Sequence, residues 1–538
     1  MKHWRPDEGG EPIALGDSSV LEGGVADAAI RRGATPWWRS PRAQLALLAV
    51  ATWWWLRDAA VSHDVVWQFW IARQMLGGWR LYTDILELNP PLWFWSAVPV
   101  QYAAELAGVP PVRLLIGAIV AGGAAGALLF DAVSGATDAA RRRDMMVAIF
   151  LIGVVMPLYN LGQREPLALI CAIPYVGLAA ARREGRTVAT SVALAIGLFA
   201  AYGFALKHYF IAVPALLELW ILAGRRGAWR PLRLETAALL GCAIAYGASV
   251  PVFAPDFLRV MVPMVGLAYH GYEVQPFQMF DELPQLVWLA ALGALLLYRP
   301  RRGEPSQSMS TAFLLAGIGF AVAYFAQRKG WHYHAVPVTG MLLLAVVARL
   351  AHAGEKRRPL GAVALALGAL ASWHLGAYRN MIRHDSDPLL RTVPRGEAVT
   401  FWASDPSWAW PMVEEYGLVW TSGYYAHWML PAIASAEMVG PRSPALDALG
   451  REVRDRTYRE MRCRPPAAIF SERGTPYYSV RPAGFDTTAF FLRDPRMAEF
   501  VERHYVRERS TRWFDVFRLR SAPRPAGASC LRTRPPSG

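Results

Sequence analysis

The sequence predicts an α-helical multi-pass membrane protein, with about eleven transmembrane helices plus interfacial helices and a small C-terminal extracytoplasmic α/β domain. Three observations predict it. Of 538 residues, 54% are hydrophobic and only 18% charged, where a soluble domain carries about 25% charged residues. The 22 Trp, 20 Tyr and 22 Phe suit a chain that meets bilayer interfaces. From about Arg383 the composition turns polar and mixed. A purely soluble enzyme is excluded. The net charge of +14 suggests nucleic acid at first sight, but a membrane protein gathers arginine in its cytoplasmic loops, and no nucleic-acid partner is expected.

In chain order, residues 1–40 read as a disordered cytoplasmic tail with no cleavable signal pattern and 41–380 as the membrane domain. Residues 381–525 read as the α/β domain and 526–538 as a disordered, Pro- and Arg-rich tail. A crossing helix needs about 20 apolar residues. Runs of that kind begin near Ala43, Pro91, Val112, Met145, Leu167, Val188, Tyr209, Thr236, Leu283, Ala312, Ala335 and Gly361. The basic clusters are Arg31-Arg32 with Arg39, Arg141 to Arg143, Arg182-Arg183, Arg225-Arg226, Arg301-Arg302 and Arg357-Arg358. They fall on one side, as the positive-inside rule requires, only if one run between Arg57 and Arg141 does not cross. The run from Pro91 to Leu106 is that one: it follows two prolines, contains Pro99, and carries Gln101 and Glu105 among tryptophans. Such a helix belongs at the interface. Eleven spans remain, with the N-terminus cytoplasmic and the C-terminus outside, in a bacterial inner membrane.

This topology puts the polar motifs on the outer face. The first outer loop holds Ser62-His63-Asp64, then Tyr82, Asp84 and Glu87 before Pro90-Pro91. Later loops bring Gln163-Arg164-Glu165, Lys207-His208, His270 with Glu273, and Arg328-Lys329-Gly330-Trp331-His332-Tyr333-His334. Ionisable residues at span ends are costly and point to function, and each has a plainer explanation beside it. Lys207 alone would snorkel to the headgroups, Asp84 would cap a turn, Arg164-Glu165 would form a local ion pair, and Asp64 would be an N-cap. Arg328 and Lys329 beside Trp331, His332 and His334 are harder to explain structurally. Only four lysines stand against 52 arginines. Two cations at a membrane edge suit a phosphate, and the aromatic rings beside them suit a sugar or an isoprenoid chain. Asp64, Glu87 and Glu165 with these cations suit transfer from a lipid phosphate: cations hold the departing phosphate and a carboxylate takes the proton of an acceptor hydroxyl.

An outer-loop Asp64, followed by Gly77-Gly78-x-x-Leu81-Tyr82-x-Asp84 and Glu87-x-x-Pro90-Pro91-Leu92, resembles the membrane glycosyltransferases of the GT-C superfamily. The nearest branch is that of the protein-mannosyltransferases and aminoarabinose transferases, and the resemblance covers roughly Ala43 to Tyr378. It implies a polyprenyl-phosphate sugar donor, Asp64 as catalytic base, Glu87 and Glu165 as further acidic residues, and Lys329 as a donor-phosphate cation. Substrate-binding expectations extend to Arg164, Lys207, Arg328, Trp331, His332, His334, Tyr82 and Asp84. The sequence departs from the family where His63 precedes Asp64 and where the second loop reads Gln-Arg-Glu. Carboxylates with His332 or His334 suit a divalent cation, but cations that already neutralise the phosphate explain the same residues, so no metal or other cofactor is assigned.

In the C-terminal part, strand-like runs lie at Ala398 to Ala403, Leu418 to Thr421, Ala467 to Phe470 and Phe514 to Leu519, with a helix from Ser443 to Met461. The aromatic run Trp420 to Trp428 suits an acceptor cleft, although core packing explains it more simply. Cys171 and Cys242 read as core residues; an extracytoplasmic location would allow Cys463 and Cys530 either to pair in a disulfide or to stay free. The expected activity is transfer of a sugar from a polyprenyl-phosphate donor to an envelope glycan, lipid or protein. A flippase of a lipid-linked sugar is the alternative, which predicts polar residues along span interiors and internal repeats; neither is present in the sequence.

Overall fold

The computed structural model describes residues 37–280, 283–297, 305–350, 385–441, 443–473 and 484–520. The membrane part is built from α1 (Pro41–Leu56), α2 (His63–Leu76), α3 (Leu92–Ala107), α4 (Pro111–Ser134), α5 (Ala139–Phe150), α6 (Arg164–Glu184) and α7 (Thr190–Ala205). It continues through α8 (Ala212–Arg225), α9 (Leu234–Phe253), α10 (Val262–Ala268), α11 (Leu283–Leu297), α12 (Pro305–Gln327) and α13 (Val336–Leu350). A helix stands at ten of the eleven expected crossings; the run from Gly361 lies outside the described residues, as do residues 1–36 and the tail from 526. Five described helices are long and apolar enough to cross by themselves: α4, α6, α9, the 307–327 part of α12, and α13 with its leading turn. The others are shorter. At 1.5 Å per residue the 16 residues of α7 span roughly 24 Å, less than a ~30 Å hydrocarbon core.

Helix α6 is the buried centre of the bundle, with 17 of its residues buried, from Arg164 to Ala181. It ends where Gly185 turns left-handed at φ 77°, and Arg182 and Arg183 in the last turn complement the negative end of the helix dipole. Neighbours approach closely through small residues. A Cβ on Gly340 would lie 2.6 Å from the Leu169 side chain, and one on Gly319 would lie 2.8 Å from the Val213 backbone. The non-crossing expectation for Pro91 to Leu106 corresponds to α3, which begins after Pro90-Pro91, contains Pro99 and stops at Gly108 with φ 62°. It packs on α2.

The arginine-rich helix ends meet at one end of the bundle. Arg142 pairs with Asp131 at 2.5 Å, Arg186 donates to the Val133 carbonyl at 2.7 Å, and Arg182 and Arg233 share Glu235 at 2.8 and 3.0 Å. Asp64, Arg164, Lys207 and the 327–334 turn gather at the other end, where Lys207 bonds Gln327 at 2.8 Å.

The C-terminal part is a five-stranded mixed sheet of β1 (Ala398–Trp402), β2 (Val419–Trp420), β3 (Ala468–Glu472), β4 (Tyr505–Ser510) and β5 (Phe514–Leu519), in the order β2-β1-β3-β5-β4. β1 is parallel to both β2 and β3, with Val399 opposite Trp420 and Ala468, while β5 is antiparallel to β3 and β4. β1 and β3 are buried along their whole length, as central strands covered on both faces must be. α14 (Leu430–Met438), α15 (Pro444–Cys463), α16 (Thr487–Leu492) and α17 (Pro495–His504) pack around the sheet. α15 begins as the sequence reading expects, with Ser443 as N-cap accepting from Leu446 N. The missed strand, β4, is a charged edge whose residues after Tyr505 are all exposed, so it lacks the apolar alternation by which a strand is read. Cys171 and Cys242 are free thiols and Cys463 is disulfide-bonded; Cys530 lies outside the described residues.

The two parts are joined directly. Leu86 N donates to Gly423 O at 2.8 Å, Arg456 reaches the Asp84 carbonyl at 2.6 Å, and Tyr272 donates to the Ser404 carbonyl at 2.7 Å. Arg73 forms a two-pronged pair with Glu414 at 2.6 and 3.0 Å.

Candidate active site

A cleft with a cavity volume of about 150 Å³ lies between the membrane part and the α/β domain. Its membrane wall comes from Ser62 to Asp64, Asn89, Asn160, Gln163, Arg164 and the Trp331 to Tyr333 turn; its other wall comes from Ser404 to Ser407, Trp410 and Tyr425 to Trp428.

Asp64 sits in the first turn of α2, but the N-cap is Ser62, so Asp64 is not spent on capping. Its Oδ1 accepts from the Tyr425 hydroxyl at 3.1 Å and lies 3.3 Å from His63 Nδ1, which is itself 2.6 Å from the Tyr425 oxygen. Burial works against both charges. The carboxylate and imidazole nonetheless favour each other: Asp64 is held below the usual carboxylate range by His63, Arg164 and Tyr425, and His63 is raised by Asp64. The positive end of α2 adds to the preference for a negative charge at Asp64.

Arg164 opens α6, and its side chain is almost wholly buried. It donates to Asn89 Oδ1 and lies 5.1 Å from the Trp93 ring centre. Asn89 is held in turn by Glu87, whose Oε1 accepts from the Asn89 backbone at 3.0 Å and side chain at 2.7 Å, while Oε2 accepts from Trp67 Nε1 at 2.7 Å. Burial pushes the Glu87 carboxyl up, against the lowering effect of the Trp67 and Asn89 hydrogen bonds. Glu87 therefore stands behind the cleft wall and positions Asn89 and Arg164, which face the cleft.

Of the expected substrate residues, Arg164, Trp331 and His332 line the cleft with Asp64. Lys207, Glu165 and His334 form a buried knot beneath it. Lys207 Nζ is 2.5 Å from Glu165 Oε1 and 3.0 Å from His334 Nε2. Desolvation, partly offset by Glu165, brings the Lys207 ammonium down to about 8. The Arg164-Glu165 local pair is thus replaced by a Lys207-Glu165 pair, and Lys207 does not snorkel. Arg328 and Lys329 lie outside the cleft lining. Arg328 pairs with Glu273 at 2.9 Å, and Lys329 donates to the Tyr269 carbonyl at 2.7 Å and sits over its ring at 4.1 Å. Positive φ angles at Arg328 (50°) and Gly330 (68°) turn the chain between these cations and the cleft-lining Trp331. Asp84 accepts from Arg80 N at 2.8 Å, as a turn cap does, and Tyr82 donates to the Asn89 carbonyl at 2.6 Å. Among the described residues, no three His, Cys, Asp or Glu side chains come together in a way that would hold a metal ion.

On the α/β wall the sequence reading offered the aromatic run as a cleft lining beside the plainer core explanation, and missed Ser404, Asp405 and Ser407. Within the aromatic run, Tyr425 and Trp428 line the cleft, while Trp420, Tyr424 and His427 are buried in the domain's core. Ser404, Asp405 and Ser407 directly follow a strand-like run, and that position was the available signal.

A structure of ArnT from Cupriavidus metallidurans bound to undecaprenyl phosphate is similar to this chain, with a TM-score of 0.51, 13% identity, and coverage of 88% of this chain and 97% of that one. This chain shares the fold of that structure. The arabinofuranosyltransferase AftD from Mycobacteria is similar at a TM-score of 0.43 and 14% identity, over 89% of this chain and 40% of that one. No family model and no curated protein matches the sequence. The loop Gly77 to Pro91, which carries the sequence resemblance, runs along the seam between the membrane part and the α/β domain.

Proposed function

We propose that the chain is a membrane glycosyltransferase that moves a sugar from a polyprenyl-phosphate donor to an acceptor hydroxyl at the outer face of a bacterial inner membrane. The observation that carries this reading is the joint placement of Asp64 and the buried Arg164 in one cleft, at the bundle end opposite the arginine clusters, in a fold like that of ArnT.

The donor phosphate leaves against Arg164, whose guanidinium is aimed by Asn89 and Glu87 and binds phosphate oxygens with charge-assisted hydrogen bonds. Asp64 is the general base. Its Oδ1 is engaged by Tyr425 and His63, which leaves Oδ2 to take the proton as the acceptor oxygen attacks the anomeric carbon. A single carboxylate suffices, because the departing phosphate needs no protonation. The earlier assignment of the phosphate to Arg328 and Lys329 gives way to Arg164, since those two are engaged by Glu273 and Tyr269 away from the cleft.

The test is release of free polyprenyl phosphate by the purified chain from a panel of polyprenyl-phosphate sugars, with a cell-envelope extract as acceptor. Wild type should release it with one donor, and Asp64→Asn should not. Donor binding without turnover by wild type under any acceptor condition would replace the enzyme with a carrier.

A further inference from the structure

The cleft has two chemically different walls. The membrane wall carries the arginine and the candidate base. The α/β wall carries the carboxylate of Asp405, the hydroxyls of Ser404 and Ser407, and the rings of Trp410, Tyr425 and Trp428. No Lys, Arg or His of the α/β domain lines the cleft among the described residues, although the chain as a whole carries a net charge of +14. An anionic group is therefore served only on the membrane side.

Topology places these residues together. β1 lies between β2 and β3 and is parallel to both, so the crossovers leave it to either side. The carboxyl end of such a strand opens the crevice in which open α/β sheets bind their ligands. The segment after β1 supplies Ser404 to Met412, and the segment after β2 supplies Tyr425 to Trp428. Asp405 Oδ1 caps the following turn through Ser407 N at 2.9 Å. The rings of Trp410 and Trp428 are 1% and 3% exposed, and their indole N–H groups meet no acceptor among the described residues.

We infer that this end of the α/β domain is the acceptor subsite of the proposed transferase, and that it takes a polyhydroxylated, non-anionic ring: a neutral or amino sugar. The indole N–H groups of Trp410 and Trp428 donate to the oxygens of such a ring, a carboxylate and hydroxyls bond its OH or ammonium groups, and Asp405 repels a uronic acid or a phosphorylated sugar. The inference rests on the glycosyltransferase reading for the word acceptor; the binding itself can be tested apart from it.

The test uses the full chain in nanodiscs and saturation-transfer NMR with three soluble probes: methyl glucoside, methyl glucosaminide and methyl glucuronide. The first two should receive saturation and the glucuronide at least fivefold less. Asp405→Asn keeps the turn cap, because asparagine caps equally well. It should remove most of the preference for the glucosaminide over the glucuronide, and Trp410→Ala should weaken binding of both accepted probes. Equal saturation of all three probes, no saturation of any, or a preference unchanged in Asp405→Asn would overturn the subsite. Undecaprenyl phosphate binding, measured on the same samples, reports separately on the donor. If the glycosides bind and undecaprenyl phosphate does not, the transferase reading falls while the sugar site stands. The reverse result removes the sugar site alone.

Discussion

Tyr425→Phe separates a chemical role for the α/β domain from a purely architectural one. The tyrosine ring stacks on Trp67 at 4.8 Å between centres, and phenylalanine keeps that contact, so the fold should hold. What disappears is a hydroxyl that donates to Asp64 Oδ1 at 3.1 Å and sits 2.6 Å from His63 Nδ1. A hydrogen bond to a charged group contributes about 1.5–3 kcal/mol. Water can replace part of it in an open cleft, so the lower end applies. At 1.36 kcal/mol per pKa unit, the loss raises the Asp64 carboxyl by about one unit. Asp64 is held low in the folded protein and, as the proposed base, acts when ionised, so the acid limb of the kcat/KM profile should move to higher pH by about one unit, with roughly a tenfold loss below the limb. The assay is polyprenyl-phosphate release between pH 4 and 8, with thermal unfolding alongside. An unchanged acid limb in a folded variant would refute the argument that Tyr425 tunes the base.

Other outcomes follow from the same contacts. Glu165→Gln removes the partner of a buried ammonium, a change that costs about 3–5 kcal/mol when no other group compensates. Gln327 and His334 still contact Lys207, so about 3 kcal/mol is expected as a lower thermal midpoint, and combining it with Lys207→Met should restore much of the loss. The pH dependence has a definite sign. An unfolded lysine titrates near 10.4 whereas Lys207 is brought down to about 8, so the unfolded chain binds the extra proton and stability rises with pH between the two. The Glu165→Gln deficit should therefore be larger at pH 6 than at pH 9, and a constant deficit would contradict the assignment. Gly423→Ala would put a Cβ 2.4 Å from the Asp84 carbonyl and 2.5 Å from Arg456. Overpacking of this kind costs about 1–3 kcal/mol, and limited proteolysis should release the α/β domain faster; wild-type resistance would show that the seam gives way without cost.

The fold was legible where one segment carries its own signal. Arginine clusters and apolar runs located ten helices, and the prolines at Pro90 and Pro91 marked the start of α3. Strands β1, β2, β3 and β5 were legible from short apolar runs, while β4 was hidden by the charges of Arg507, Glu508 and Arg509 on its exposed face. Within the site, Asp64 and Arg164 were legible because ionisable residues beside apolar runs are rare. Choosing among the cations was not possible from spacing. Lys207 and Lys329 carry the same local signal as Arg164, and only the folded chain shows that Glu165 and the Tyr269 carbonyl have already taken them.

The contact between Tyr425 and Asp64 joins residues 361 positions apart, beyond any motif that a local reading can find, and it changes what the α/β domain is for. Such a domain, tethered after the last membrane helix, would be an accessory if it only covered the cleft. Here it supplies the hydroxyl on the proposed base, the carboxylate of Asp405 and three of the eight Trp and Tyr rings that line the cleft, all from the segments after two adjacent parallel strands. The backbone bond from Leu86 to Gly423 and the bonds from Arg456 to Thr83 and Asp84 fix that domain to the loop leading from Asp64 to Asn89. The geometry of the base and the geometry of the Arg164 support therefore both depend on one seam. Loosening it should lower the ionisation of Asp64 and misplace the cation together, whereas a change confined to either wall should affect only one.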